Sequence, residues 1–108
     1  RWLEVAGPRD AQGYWWIGER ARLLLPPGER QLHFIAPFLA QGVDELRITI
    51  DDEPPVAYRL ADQTDVTLNV PPGAVIEFLP NRTVDPLALG YTGDPAPKAF
   101  LVKLSETR

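Results

Sequence analysis

The chain has 108 residues, with 11 Lys+Arg against 15 Asp+Glu for a net charge of −4, one His, and neither Cys nor Met. That length predicts a single domain, 1–108, with a hydrophobic core of its own. The lack of Cys excludes disulfides, thiolate metal sites and a Cys nucleophile, the mild acidity argues against nucleic acid as a partner, and no apolar run approaches the ~18 residues of a membrane span.

In chain order, Trp2–Val5 and Tyr14–Ile17 are short strand candidates with a loop, Pro8–Gln12, between them. Arg20–Leu25 alternates with period two: Ala21, Leu23 and Leu25 share one face, and Arg20 and Arg22 the other. Gln31–Ala36 sets Leu32, Phe34 and Ala36 opposite Gln31 and His33. Pro37–Leu46 comes nearest to a helix, yet it contains Gly42 and lacks the i, i+3, i+4, i+7 repeat. Glu45–Asp51 sets Leu46, Ile48 and Ile50 against Arg47, Thr49 and Asp51, and Val56–Leu60 is a weaker strand. In Asp65–Val70, Val66, Leu68 and Val70 oppose Thr67 and Asn69. Ala74–Leu79 turns Ile76 and Phe78 inward and Glu77 outward. Pro86–Gly90 has room for one turn, and Gly93–Pro97 reads as a loop. Ala99–Leu104 closes the series with Phe100, Val102 and Leu104 opposite Lys103.

Such alternation places one face of each strand in a core and the other in water. Twelve prolines, about twice the usual ~5% share, fall between the apolar stretches, where a residue without a backbone N–H ends strands and shapes turns. About eight short strands and no helix predict an all-β fold, a two-sheet antiparallel β-sandwich of jelly-roll or immunoglobulin-like style, with a closed barrel as the alternative. The expected core is Trp16, Ala21, Leu23, Leu25, Leu32, Phe34, Leu46, Ile48, Ile50, Val66, Leu68, Val70, Ile76, Phe78, Phe100, Val102 and Leu104.

The polar residues offer several chemistries, each beside a plainer reading. His33 is the only histidine and lies on the polar phase of its strand, and Ser105 is the only serine. No motif links them to a carboxylate, so His33 reads as a surface residue. Asp51-Asp52-Glu53 admits a structural calcium at Asp51 and Asp52, or a hairpin turn whose charges keep an edge soluble. The D-x-D-x-D-G spacing of a calcium loop is absent. Carboxylates such as Glu77, Asp85 and Asp94 have no long loops to build a cleft around them. The expectation is therefore a non-enzyme with no catalytic residues and no cofactor. Asn81-Arg82-Thr83 matches a glycosylation sequon and reads as a turn. Arg20 and Arg22 suit either phosphate contacts or cross-strand pairing with acidic residues, and pairing is the simpler reading.

From Gly13 to Leu104 the order of features resembles a known family. An aromatic pair, Trp15-Trp16, is followed five residues later by Ala21, which opens Ala21-Arg22-Leu23-Leu24-Leu25-Pro26. Then come a strand closing on Ala36-Pro37, a strand running into Asp51-Asp52, and a strand ending in Val70-Pro71. Val75-Ile76-Glu77-Phe78, Thr83-Val84-Asp85-Pro86 and Gly93-Asp94-Pro95 precede the last apolar strand. This order resembles the carbohydrate-binding-module-like β-sandwich accessory domains found beside bacterial glycosyltransferase domains. Trp15 stands where that family tends to have Arg, Asp52 where a turn Gly is usual, and Ala96-Pro97-Lys98 follows where an Arg is expected.

The resemblance implies a non-catalytic module of a longer bacterial protein, cytoplasmic or membrane-associated, and the start at Arg1 without Met or a signal-peptide pattern fits an excised domain. It also implies that Trp16 is packed. Adjacent strand residues point to opposite faces, so Trp15, with Tyr14 or Tyr91, becomes the candidate platform on which a pyranose could stack. The expected partners are therefore carbohydrate or a neighbouring domain of the parent protein. An apolar patch of Leu24, Val75 and Leu101 would favour the domain.

Overall fold

The computed structural model describes residues 3–4, 14–25, 29–61, 64–90 and 96–106. Its strands are β1 (Leu3–Glu4), β2 (Trp15–Ile17), β3 (Ala21–Leu24), β4 (Glu29–Ile35), β5 (Glu45–Ile50), β6 (Val56–Arg59), β7 (Asp65–Asn69), β8 (Val75–Pro80) and β9 (Phe100–Glu106). Every strand falls within or across one of the strand candidates of the sequence. Pro80 is the exception to the spacing role of proline: it is the buried last residue of β8. The helix-like window holds only a 3₁₀ turn, Leu39–Gln41, ended by Gly42 at φ 82°, a left-handed conformation that favours glycine.

The strands form two sheets, one ordered β1-β3-β8-β5-β6 and the other β2-β9-β4-β7. The two-residue β1 runs parallel to β3, and every other pairing is antiparallel. Without β1, each sheet has four strands. From β2 to β9 the pairs nest: β2 with β9, β3 with β8, β4 with β7, and β5 with β6 in a hairpin. This long folded ribbon is rolled so that β9 also meets β4 and β8 also meets β5. That order is the jelly roll, which selects one of the two expected sandwich styles.

The inner faces of the two sheets meet in one apolar core, and no polar or charged residue is buried among the described residues. Phe34, Phe78 and Phe100 are fully buried, and Phe34 meets Phe100 and Tyr58 edge-on. Most of the expected core is observed, with one reversal. Trp16 is 43% exposed. The pairing of β2 with β9 sets Trp15 opposite Val102 and Ile17 opposite Phe100, so these two positions share the core-facing phase and Trp16 takes the other. Ile50, Val66 and Leu68 are half-buried rather than buried. β7 is an edge strand, so Val66 and Leu68 have a strand on one side only. Residues outside the strands complete the core: Phe38, Val43, Leu60, Ala74 and Ala99. A jelly roll crosses between sheets at almost every connection, and those crossings cover the ends of the sandwich.

The acidic cluster follows the hairpin reading. Glu53 N–H donates to Ile50 O (3.0 Å), closing the β5–β6 turn. Asp51, at φ 51°, exchanges backbone and side-chain bonds with Val75: its Oδ1 accepts Val75 N–H (2.9 Å) and its own N–H donates to Val75 O (2.8 Å). Among the described residues no group of three His, Asp or Glu side chains is placed to hold a metal ion.

Candidate functional site

The outer face of the four-stranded sheet gathers the residues of interest. Strand registry fixes its rows. Trp16, Leu101, Ile35 and Asp65 are Cα partners across β2, β9, β4 and β7. The next row holds Lys103, His33 and Thr67, and the one after it Ser105, Gln31 and Asn69. Tyr14, just before β2, adjoins the Lys103 row: its ring lies 6.2 Å from that of His33, and Lys103 Nζ stands 5.4 Å from its centroid. Tyr14 and Trp16, two positions apart, thus project to the same side.

Local contacts hold this face in place. The Trp16 ring stacks on Phe38 with centroids 5.8 Å apart, while Lys98 Nζ lies 5.4 Å from the indole. His33 Nδ1 shares a 2.8 Å hydrogen bond with Thr67 Oγ1, and His33 Nε2 lies 3.9 Å from Asp65 Oδ2. Ser105 Oγ donates to Gln31 Oε1 (3.4 Å), and Gln31 Nε2 donates to Asn69 Oδ1 (3.5 Å). The face therefore grades from aromatic and aliphatic at Trp16, Leu101 and Ile35 to hydroxyl and amide at Ser105, Gln31 and Asn69. Each polar group here keeps lone pairs or N–H bonds to offer, because an amide or hydroxyl can make more bonds than those it makes within the face.

The sequence-based candidates fare unevenly. Tyr14 lies on the face. Trp15, the expected platform residue, is turned inward, half-buried and packed against the core, and Trp16 takes the outward position instead. Tyr91, Trp2 and Asp94 lie outside the described residues. His33 and Ser105 share the face, but the Ser105 hydroxyl bonds Gln31 and the His33 ring bonds Thr67. The polar phases of three strands already contained Gln31, His33, Thr67, Asn69 and Lys103. Sequence reasoning missed that these strands are neighbours, because the partners lie 34 to 38 positions apart in the β4–β7 pairs that bond through side chains.

The opposite outer face differs. Arg22 pairs with Glu77 across β3 and β8 (3.7 Å), as cross-strand pairing predicts. Leu24, 66% exposed, lies beside Val75 there. Leu101 belongs to the other sheet, so the expected patch of Leu24, Val75 and Leu101 is not assembled.

Fold and face together define a jelly-roll β-sandwich with a mixed aromatic and polar sheet surface. Comparison with protein-family models, curated proteins and solved structures gives no match.

Proposed function

We propose that this chain is a non-catalytic accessory module of a carbohydrate-active protein, such as a glycosyltransferase, and that it binds glycan on the outer face of the β2-β9-β4-β7 sheet. One observation carries the reading: Tyr14 and Trp16 project from the same side of an edge strand, next to a row of hydroxyl and amide side chains. A pyranose has an apolar face of C–H groups and a rim of hydroxyls. Aromatic rings meet the face, and Gln31, Asn69, Thr67 and Ser105 offer partners for the rim. An open sheet face suits a chain-like ligand, which needs length rather than enclosure.

The test is a two-dimensional amide NMR titration with a panel of mono- and oligosaccharides. The Trp16 indole N–H and the backbone amides of Tyr14, His33 and Lys103 should shift saturably with one sugar class. The Trp15 indole, packed against the core, should stay nearly still. If no signal on this face moves at millimolar sugar, glycan binding by the domain is overturned. A second reading then gains ground, docking on a neighbouring domain. The observation in its favour is Leu24, an exposed large side chain with Val75 beside it on the other outer face.

A further inference from the structure

We infer that the ligand of the aromatic face is an acidic glycan, one whose sugars carry carboxylates. This inference rests on the glycan-binding reading and narrows it.

Tyr14 and Trp16 are the two rings of the face. Each has a lysine ammonium beside it at the same distance: Lys103 Nζ is 5.4 Å from the Tyr14 centroid and Lys98 Nζ 5.4 Å from that of Trp16. The two lysines reach the face from different segments. Lys103 lies on β9 directly opposite His33, and Lys98 lies on the segment before β9, where it bridges to Val84. An ammonium is drawn to the negative face of an aromatic ring. A neutral sugar stacking on either ring must displace that ammonium and offers it no charge in return. A uronate resolves the conflict. Its carboxylate is attached at the edge of the sugar ring, so a stacked pyranose projects it to the flank of the aromatic, within reach of a lysine that has swung aside.

The placement of the lysines points the same way. Among the described side chains that registry or ring contact places on this face, the ionisable groups are Lys98, Lys103, His33, Asp65 and the Tyr14 phenol. Asp65 sits on edge strand β7 beside His33, and the two lysines sit beside the rings on the β2–β9 side of the face. The chain as a whole carries −4, so attraction of an anion to this face has to come from these two lysines at short range.

The experiment compares trisaccharides of galacturonate, mannuronate and glucuronate with their carboxyl-reduced counterparts, by amide NMR and calorimetry. One acid should bind at least about tenfold tighter than its reduced form at low salt, and the advantage should shrink as salt screens the lysines. Lys98→Gln with Lys103→Gln should erase the preference, while Lys98→Arg with Lys103→Arg should keep it. The arginine pair serves as the folded, charge-retaining control for the glutamine pair. If a reduced sugar binds as tightly as its acid, the inference falls and the glycan-binding reading stands. If neither form moves the Trp16 indole, both fall. If the acid preference survives in a folded glutamine pair, the lysines are not its source and the inference falls.

Discussion

Asn81 shows how much one surface side chain can organise. Its Nδ2 donates to Gly42 O (3.0 Å) and to Asp44 Oδ1 (3.0 Å), and its Oδ1 accepts Glu45 N–H (3.3 Å). Its own backbone N–H donates to Glu45 O (3.0 Å). The end of β8 is thereby tied to the 3₁₀ turn and to the start of β5. Gly42, at φ 82°, also lies beside the flexible Arg82 side chain, whose Nη1 would stand 3.0 Å from a Cβ there. Asn81→Ala should lower stability by about 1–2 kcal/mol, because three bonds are lost while water re-solvates part of the exposed site. A urea midpoint equal to that of the parent protein would show that the network adds nothing. The sequence marks this position as a turn through its Pro80-Asn81 pair. It cannot show the amide's partners, which lie 36 to 39 positions away. Gly18 is similar: a Cβ there would lie 2.8 Å from Pro97 O, a close approach with no local signature.

At the scale of elements, β2 decides the character of the candidate site. Three residues long, it has few side chains with which to set its own phase. Ile17 and Trp15 face Phe100 and Val102 across the pairing with β9, and burial of that pair leaves Trp16 outside. The expectation of a packed Trp16 is the opposite phase, and adjacent tryptophans are equally apolar, so composition alone does not discriminate. Trp15→Ala should cost about 2–3 kcal/mol through lost burial and the cavity it leaves. Trp16→Ala should cost about 1 kcal/mol, from its stacking on Phe38 and its lysine contact. Paired denaturation curves check the order, and a larger loss at Trp16 would reverse the assigned phase. The longer strands were legible in detail. Leu32 and Phe34 against Gln31 and His33, or Leu46 and Ile48 against Arg47, carry enough alternation to fix which side turns inward.

For the molecule as a whole, stability rests on aromatic and aliphatic burial between two sheets that pair mostly over long separations. Phe78 is at the middle of this arrangement. It is fully buried on β8, opposite Ala21 of β3 and Ile48 of β5. Phe78→Ala should destabilise the protein by about 3–5 kcal/mol, read from the urea midpoint and slope. A small loss would mean that the β8 face assignment is wrong. Edge strands β6 and β7 bring half-exposed apolar positions to one margin of the sandwich: Val56, Tyr58, Val66 and Leu68. Pro54 and Pro55 precede β6, and Asp65 opens β7, features that discourage edge-to-edge pairing with another chain.

The positions of the strands, the inward faces of the longer ones and the all-β class follow from the local sequence. Period-two alternation and proline punctuation are local properties, readable within five or six residues of any position. The jelly-roll order, the phase of β2, and the union of Tyr14, Trp16, His33, Gln31, Asn69 and Lys103 on one face come from strand neighbourhood instead. Those outcomes depend on which strand lies beside which, and alternation says nothing about that. The strands that build the face come from both ends and the middle of the chain, and antiparallel registry brings them together.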